Sequence, residues 1–422
     1  MLMKFKDVRE KGFRERIKLS NAIKLGEISF EIHPLERINI TNNTINKRIL
    51  RENIYSQRDI PPFDRSAVDG YAVKAENTYA ASENSPVRLK IIEEIQIGQI
   101  ANNAISDNAA IQIPTGGVVP KGANSIIMVE DTSRISDTEL LIFDKVHPNR
   151  NISKKGEDYL KNKLLFKPNY KLRSVDRSIL LASGITEINV TKKLNIGIII
   201  LGDELIEPWI FLEPGKIPEV NSISLFDLCM NEGWNPKIIG IFNDNYEIIT
   251  QTIKESIKKY DIIFVSGSTS VGKKDFIPII LNDLGNIIFH GVAMRPGSPV
   301  LCAKLSNKII FGLPGFPTAC IIAFLFIIRP ILNYYSGFNP NDDLIKIPAK
   351  ISRNVGSKLG TIDFLRVKLT KDTNDHYLAV PIQISGSGRL SNITESDGII
   401  RIYENSEGLK EGDNVLVELY PF

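Results

Sequence analysis

Short apolar runs alternate with helical patterns between Asn195 and Ser266. The runs NIGIII, KIIGIF and DIIFVS have the length and branched side chains of buried strands, whereas SISLFDLCMNEG and NYEIITQTIKESIKK place apolar residues at helical spacing. Strands that alternate with helices of about a dozen residues form a mostly parallel sheet with helices on both faces. The pattern therefore predicts a doubly wound α/β domain, which we assign to residues 187–335.

The rest of the chain is divided by its change of pattern. Short apolar runs separated by Gly, Pro and Asn predict a small β domain at residues 59–148, and a second set predicts a barrel or sandwich at residues 336–422. Residues 21–58 and 149–186 resemble neither neighbour, and we expect them to pack together as one discontinuous first domain. The β domain would then be an insertion into that first domain.

The most apolar run of the sequence, ACIIAFLFII at residues 319–328, ends at Arg329 and Pro330. It is well short of the roughly 20 residues that a membrane span needs. The first twenty residues carry charges throughout and have no apolar core, unlike a secretory signal. We therefore expect a buried helix of a cytoplasmic protein that has no contact with membranes.

The charge balance gives no sign of a polyanionic partner. There are 52 Lys and Arg residues and 49 Asp and Glu residues, a net charge of +3, so bulk electrostatics predicts no nucleic-acid binding. The three cysteines are far apart and lack the C-x-x-C spacing, which predicts reduced, buried thiols without a zinc or disulfide role. They are Cys229, Cys302 and Cys320.

The stretch DIIFVSGSTSVGKKD predicts a strand, a glycine loop and then a helix. Gly267 and Gly272 allow a ligand to approach the backbone, and Ser270 lies between them. The following helix would direct unpaired N–H groups towards an anion, so the loop is a candidate phosphate or oxyanion cradle. A P-loop is disfavoured because Lys274 replaces the Ser or Thr that would bind magnesium. A plain tight turn is the alternative interpretation.

Four acidic residues follow predicted strands or the glycine loop. The carboxyl ends of parallel strands form the ligand edge of such a sheet, so these carboxylates should lie near the loop. Carboxylates around an anion site are best explained by a divalent cation such as Mg²⁺ that bridges them to the ligand. Helix capping is the alternative for each of them. They are Asp203, Glu204, Asp244 and Asp275.

Two Pro-Gly turns lie beside apolar strands at the same expected edge. In MRPGSP, Arg295 would add a fixed positive charge for an oxyanion. In FGLPGFP, Pro314 and Gly315 precede the apolar helix. A purely structural role as scaffolding is the alternative interpretation of both turns.

Together these stretches resemble the molybdopterin molybdenumtransferases, a family represented in animals by the E domain of gephyrin. The resemblance begins near residue 21 and extends over nearly all of the chain. The motifs that carry it, in family order, are PPFDRSAVDGYAV, PTGGVVPKGANSIIMVED, GED, GDEL, EVNS, SGSTSVGKKD, MRPGSP, GLPGFP, FLR and GSGRLS.

The resemblance implies an activity and an architecture. Members of this family insert molybdate into adenylylated molybdopterin with Mg²⁺-dependent release of AMP. The implied protein is an elongated homodimer with four domains per chain, the last a β barrel, and an active site at the subunit interface. The adenylyltransferase of the preceding step and acceptor molybdoenzymes are the implied partners.

The resemblance also assigns roles to residues. It places the FDRSAVDG loop of one chain, with Asp64 and Asp69, against the α/β domain of the other, although turn capping explains these two residues equally well. It places Ser270, Asp275 and the glycine loop at the pterin phosphate and metal site, and Asp203, Glu204 and Asp244 in an acidic pocket. Positions near the molybdate are Arg295, Arg366 and Ser391.

Several positions depart from the family pattern. They are Leu201 for Thr in TGDEL, Ser268 for the second glycine, Lys273 for a loop acid, Ser298 for the second Lys of M-K-P-G-K-P, and Phe316 and Ala319 for Asn and Ser of P-G-N-P-x-S. They suggest a changed oxyanion, such as tungstate, or weakened catalysis.

Three hypotheses remain open from the sequence. The protein is an active molybdenumtransferase, a paralogue that binds pterin or acts as a scaffold, or an adenylyltransferase of the preceding step. The fold of that adenylyltransferase resembles residues 190–335 only, so the FDRSAVDG stretch and the C-terminal β region speak against it.

Overall fold

A computed structural model describes residues 16–31, 33–267, 275–338, 344–382 and 389–421. Its central element is a six-stranded α/β sheet, and the four strands at one side of it run parallel. The last two strands of the sheet pair antiparallel with their neighbours. In spatial order the strands are Asn235–Phe242, Asn195–Leu201, Ile262–Ser266, Lys308–Leu313, Leu301–Leu305 and Asn286–His290.

Helices cover both faces of this sheet. Successive residues of a strand point to opposite faces, so Ile198 and Ile199 enter two different apolar cores. This arrangement confirms the predicted doubly wound domain. Its helices are Asn221–Asn231, Tyr246–Ser256, Ile277–Leu284 and the run formed by Pro317–Ala323, Phe324–Ile328 and Arg329–Tyr335.

The apolar run at residues 319–328 lies inside that last helical segment. The helix from Pro317 to Tyr335 is long and apolar enough to cross a membrane, but 89% of its most apolar window is buried inside the protein. It fills the core on one face of the sheet, where Phe324 contacts Phe264 and Trp234. The run is a core helix, as predicted.

The helix Leu19–Ile28 packs against the same core. Its Gly26 lies so close to Ile331 that a Cβ on it would be 2.4 Å from the isoleucine Cδ1. The sequence-based division places residues 21–58 in the first domain, whereas this helix contacts Arg329–Tyr335 of the α/β segment.

The segments before and after the inserted β sheet share one apolar core. Ile40, Ile45 and Leu50 pack there with Leu172 and Leu180. The strand Leu35–Asn39 pairs with Glu187–Thr191, Ile54–Tyr55 pairs with Leu164–Phe166, and the helix Asp176–Ala182 covers them. The first domain is therefore discontinuous, and its last strand extends beyond residue 186.

The inserted segment contains its own six-stranded sheet. In spatial order its strands are Ser125–Met128, Gly70–Val73, Ala109–Ile113, Val87–Glu94, Glu139–Ile142 and Thr132–Arg134. Short 3₁₀ turns at Ala75–Thr78 and Val129–Asp131 connect them, and Arg65–Ser66 pairs with Ile152–Ser153 where the insertion joins the first domain.

The C-terminal segment is a closed five-stranded barrel. The barrel closes because Ile362–Lys371 pairs with both Tyr377–Pro381 and Gly398–Ile402. The remaining barrel strands are Lys346–Ile351 and Asn414–Leu419, and smaller elements are Val355–Gly356, Gly408–Leu409 and the helix Ser391–Thr394. Of the two architectures that the sequence left open, the barrel is the one observed.

Candidate active site at the sheet edge and the barrel seam

Two of the predicted acidic residues lie side by side at the carboxyl edge of the α/β sheet. The strands Asn195–Leu201 and Asn235–Phe242 are neighbours, so the residues that follow them lie side by side. The backbone N–H of Asp244 donates to Asp203 Oδ1 at 3.1 Å, and Lys216 Nζ donates to the Asp203 carbonyl at 3.0 Å. Both residues therefore lie in neighbouring loops at this edge, as their positions after adjacent strands predict.

Gly267 begins the predicted anion loop at the next strand. Its φ is +100°, and a Cβ on it would lie 2.2 Å from the Leu201 carbonyl oxygen. Its own N–H donates to the Leu313 carbonyl at 3.1 Å. Only glycine fits this close approach of two strand ends without a shift of the backbone. Ser270 and Gly272 lie outside the described residues.

A buried asparagine joins the end of this strand to the Pro314–Gly315 turn. Asn221 Nδ2 donates to Ser266 Oγ at 2.9 Å and to the Gly315 carbonyl at 2.8 Å. Ser266 Oγ donates to the Pro314 carbonyl at 3.3 Å. The strand end that leads into the glycine loop and the Pro-Gly turn are thus held together at the sheet edge.

Sequence reasoning did not select Asn221 as a site residue, although it noted the EVNS stretch. In that stretch Glu219 is buried and accepts bonds from the Ser222 backbone N–H at 2.9 Å and from its hydroxyl at 2.5 Å. These two bonds satisfy a backbone N–H of the first turn of Asn221–Asn231 and so help to position Asn221. The S/T/N-rich helix start was the available signal.

A cavity of about 490 Å³ lies between the α/β sheet and the barrel. The strand Met294–Arg295 lines this cavity and pairs in parallel with Ile362 and Asp363 of the barrel. Pro314 lines the cavity and its carbonyl accepts from Ser266 Oγ, so the cavity adjoins the sheet edge at the end of the strand Ile262–Ser266. Its charged lining residues are Arg16, Arg295, Lys358, Asp363 and Arg366.

Arg366 is the most buried of these charges. Its side chain is 4% exposed, and its Nη1 donates to the Phe364 carbonyl at 2.8 Å. Its Nε is buried without a hydrogen-bond partner among the described residues. Burial lowers the pKa of the guanidinium from its ordinary value, yet an arginine stays protonated at neutral pH. A buried donor that lacks a partner favours an anionic ligand at this position.

Arg295 lines the same cavity as Arg366 and forms an ion pair with Asp363. Its Nε and Nη2 donate to the two oxygens of Asp363 at 2.6 and 2.5 Å, a bidentate ion pair. The predicted site residue Ser391 is exposed at the start of its short helix. The Arg389 carbonyl just before it accepts from Thr318 Oγ1 at 2.8 Å, which brings this part of the barrel close to the apolar helix.

The described residues fit a magnesium ion only in part. Asp203 and Asp244 are brought together, and Glu204 lies in the same loop. Within the described ranges, no three His, Cys, Asp or Glu side chains gather as a metal-binding group. Mg²⁺ commonly uses one or two carboxylates and completes its coordination with water and substrate phosphates, so acidic residues on these neighbouring loops are compatible with such a site.

Comparison with known proteins covers almost the whole chain. Residues 16–184 match the MoeA N-terminal region (domains I and II), residues 197–334 a probable molybdopterin-binding domain, and residues 348–420 the MoeA C-terminal region (domain IV). The molybdopterin molybdenumtransferase of Bacillus subtilis is 30% identical over 376 residues, which are 88% of this chain and 87% of that protein. The chain belongs to the molybdopterin molybdenumtransferase family.

Further relatives of this chain agree with the family assignment. A protein of Methanocaldococcus jannaschii named for molybdopterin biosynthesis is 35% identical over 382 residues, 88% of this chain and 89% of its own length. The crystal structure of a MoeA protein from Pyrococcus horikoshii superposes with a TM-score of 0.78 at 32% identity, covering 96% of this chain and 100% of that one. The protein is an enzyme of molybdenum cofactor biosynthesis, and the full-length match disfavours the single-domain adenylyltransferase.

Two acidic residues of the inserted segment stabilise a loop of that segment and its junction with the first domain. Asp64 accepts from the Lys155 N–H at 2.8 Å and from Lys154 Nζ at 3.0 Å, and the Lys155 bond lowers its pKa most. Asp69 accepts from the N–H and the hydroxyl of Thr115 at 2.7 and 2.9 Å, which lower its pKa. Within one chain both residues act as loop caps, so their role in catalysis stays a prediction.

The departures from the family pattern that lie in the described residues have structural consequences. The Ser298 hydroxyl, where the family has a lysine, donates to the Val292 carbonyl at 2.9 Å and adds no charge to the cavity. Phe316 is 63% exposed beside the same cavity, whereas Ala319 is buried in the helix. Leu201 is buried in the second core. Ser268 and Lys273 lie outside the described residues.

Proposed function

We propose that this enzyme inserts molybdate, or tungstate, into adenylylated molybdopterin with Mg²⁺-dependent hydrolysis of the adenylate and release of AMP. The observation that carries the proposal is the contact between the carboxyl edge of the α/β sheet and the arginine-lined cavity. Pro314 belongs to both, since its carbonyl accepts from Ser266 at the edge and its ring lines the cavity. A phosphate-bearing pterin and a separate oxyanion would therefore lie next to each other.

The cavity has the chemistry of an oxyanion site. Molybdate is a tetrahedral dianion, and arginine donors in a partly desolvated cavity bind such ions strongly. Arg366 would donate from its unpaired Nε, and Arg295 from the guanidinium edge that Asp363 leaves free. Ser391 would contribute from the neighbouring barrel loop.

The sheet edge has the chemistry of a pterin phosphate and metal site. Asp203 and Asp244, with Glu204 and Asp275, would hold the cation, and Gly267, Gly315 and the residues of the glycine loop would approach the phosphate with their backbone. When bound, the ion would neutralise charge on the anhydride that is cleaved. Asn221 would keep the two turns that flank the phosphate at a fixed distance.

We further propose a cytoplasmic homodimer with a shared site. In that arrangement Asp64 and Asp69 of one protomer would face the sheet edge of its partner. The adenylyltransferase of the preceding step would supply the substrate, and acceptor molybdoenzymes would take the product.

A specific observation favours one alternative, a paralogue that binds pterin without turnover. The cavity lacks the family's second lysine at Ser298, and the exposed Phe316 replaces an amide beside it. Under this alternative, Ser298→Lys combined with Phe316→Asn would raise AMP release steeply. An unchanged rate in that double variant would count against it.

The test of the proposed function is AMP release from adenylylated molybdopterin with magnesium, run with molybdate and with tungstate. We expect turnover with at least one oxyanion. Arg366→Ala should raise the KM for that oxyanion by about tenfold or more, because a hydrogen bond to a charged group contributes roughly 1.5–3 kcal/mol.

Arg353→Ala is the matched control for that variant. Arg353 is also a barrel arginine that donates to a carbonyl, that of Pro381 at 3.0 Å, but it does not line the cavity. Its KM for the oxyanion should stay at the wild-type value. Pterin binding without AMP release from the wild-type enzyme would contradict the transferase and support the binding paralogue.

A further inference from the structure

The ion pair between Arg295 and Asp363 crosses the junction of the α/β segment and the barrel. The two residues are register partners in the short parallel pairing of Met294–Arg295 with the strand Ile362–Lys371. The Asp363 side chain is 7% exposed, whereas that of Arg295 is 48% exposed. A buried carboxylate of the barrel thus holds a half-exposed arginine of the other segment.

Asp363 is fully engaged by its neighbours. Its two oxygens accept the bidentate fork from Arg295, and Oδ2 also accepts from Ser357 Oγ at 2.5 Å. This network fixes the plane of the Arg295 guanidinium and leaves Nη1 as the nitrogen outside the fork. An arginine side chain loses about 2 kcal/mol of rotamer entropy when it is fixed, and here the ion pair has already fixed it.

As a consequence, the two arginines Arg295 and Arg366 contribute different net charges to the cavity. Asp363 is the carboxylate among the described lining residues, and it compensates Arg295. Arg366 retains an unpaired, buried Nε, so it presents a charge that no carboxylate bond offsets there. Arg295 therefore offers directed donors with little net charge, and Arg366 offers the charge.

We propose that Asp363 is a positioning residue for the oxyanion substrate, which acts by holding Arg295 in the orientation that an incoming tetrahedral oxyanion needs. The inference rests on the proposed function and adds a residue to it. Ser357 supports the same network through its bond to Asp363. The docking of the barrel against the α/β segment would thereby set the geometry of the oxyanion site.

Asp363→Asn separates positioning from simple attraction, because the two roles predict opposite signs. The variant removes a negative charge from the cavity, so an electrostatic role alone would strengthen oxyanion binding and lower the KM. If Asp363 positions Arg295, the KM for molybdate should instead rise by about tenfold, since preorganised donors are lost. The KM for adenylylated molybdopterin should stay unchanged.

A double-mutant cycle tests whether Asp363 acts through Arg295. Arg295→Lys keeps the charge but cannot form the bidentate fork. It should raise the KM for molybdate about as much as Asp363→Asn, and the double variant should be no worse than either single variant. Additive effects would contradict the coupling and overturn the proposal.

Glu418→Gln is the matched control. Glu418 is another buried barrel carboxylate with an arginine partner: Arg401 Nε and Nη2 both donate to its Oε2, at 3.1 and 2.7 Å, and neither residue lines the cavity. If ion pairs of this kind only stabilise the barrel, both variants would lower the melting temperature and leave the KM for molybdate unchanged. That result would overturn the positioning role.

Equilibrium binding of molybdate and tungstate, measured by calorimetry, separates failure of this inference from failure of the proposed function. Wild-type binding that Asp363→Asn weakens tenfold, without AMP release, would support the positioning role and reject the transferase. AMP release by the wild type, together with an unaltered oxyanion affinity in Asp363→Asn, would support the transferase and reject the positioning role. An absence of oxyanion binding by the wild type would overturn both.

Discussion

Gly267 shows how much one residue constrains the sheet edge. Its φ is positive, +100°, and a Cβ added to it would lie 2.2 Å from the Leu201 carbonyl oxygen. Gly215 has a similar φ of +87°, but nothing lies within 4 Å of the place where its Cβ would be. The two positions therefore separate the cost of the backbone conformation from the cost of a steric clash.

We predict that Gly267→Ala destabilises the protein by about 3 kcal/mol, against about 1 kcal/mol for Gly215→Ala. The larger effect has a physical cause, because the strand end at Leu201 must move away. Urea denaturation of both variants provides the measurement. Equal losses would show that the edge accommodates a side chain at Gly267.

The residues of the candidate site were predictable where local sequence decides their place. Asp203 and Asp244 follow adjacent parallel strands, and the rule that such strands end at one edge brought them together. Asn221 and Asp363 were not predictable in this way. Their partners, Gly315 and Arg295, are 94 and 68 residues away in sequence, so only the packed structure shows the contact.

At the scale of elements, Glu232 joins three of them. It lies at the C-terminal end of the helix Asn221–Asn231 and accepts from Arg329 Nε at 2.6 Å, in the apolar helix, and from Lys171 Nζ at 2.7 Å, in the first domain. Burial opposes the ionisation of Glu232, but Lys171 and Arg329 outweigh it and lower the pKa below its ordinary value of 4.5. The ionised carboxylate therefore stabilises the contact between these elements.

Glu232→Gln should lower the free energy of unfolding by about 3 kcal/mol at pH 7, because it removes the carboxylate from the buried Arg329 and the partly buried Lys171. A carboxyl group with a lowered pKa contributes its stability above pH 4.5 and loses it as the pH falls through the lower folded-state pKa. The difference between variant and wild type should therefore shrink below pH 4.5. Urea denaturation at pH 7 and at low pH measures both effects.

The exposed pair of Lys371 and Asp375 is the control for that experiment. Its atoms are 2.7 Å apart, but the two side chains are 50% and 80% exposed. Asp375→Asn should change stability by less than about 0.5 kcal/mol at either pH. A pH-independent deficit in Glu232→Gln would mean that packing and not charge holds the three elements together.

The elements themselves differ in how far the sequence determines them. The strands and helices from Asn195 to Ser266 were predictable because their apolar residues repeat at the period of each structure. The two-residue strand Met294–Arg295 has no such period, since it forms only when the barrel lies beside it. The contact of Leu19–Ile28 with the α/β core was missed for the same reason.

For the whole molecule, the proposed homodimer makes a prediction about activity in mixtures. If each site takes Asp64 from one protomer and Arg366 from its partner, then Asp64→Asn and Arg366→Ala should each release little AMP alone when the oxyanion concentration is well below the raised KM of Arg366→Ala. When the two variants are dissociated, mixed in equal amounts and allowed to re-associate, half of the dimers would carry one intact site. About one quarter of the wild-type activity should therefore return. AMP release measures the recovery.

Light scattering gives the independent check on that arrangement. The chain has a mass of 47.2 kDa, so the dimer should have twice that mass. A monomer in solution, or a dimer without recovery of activity, would reject the shared site. Circular dichroism of each variant should match the wild type, since both substitutions leave the apolar cores unchanged.

The discontinuous first domain has a consequence for how the chain folds during synthesis. Leu35 pairs with Thr191, so the first strand must wait until the ribosome has added more than one hundred and fifty residues before its partner exists. The inserted sheet is complete well before that point, and its two ends already meet where Ser66 pairs with Ile152. The insertion can therefore fold first and bring the separated halves of the first domain within reach of each other.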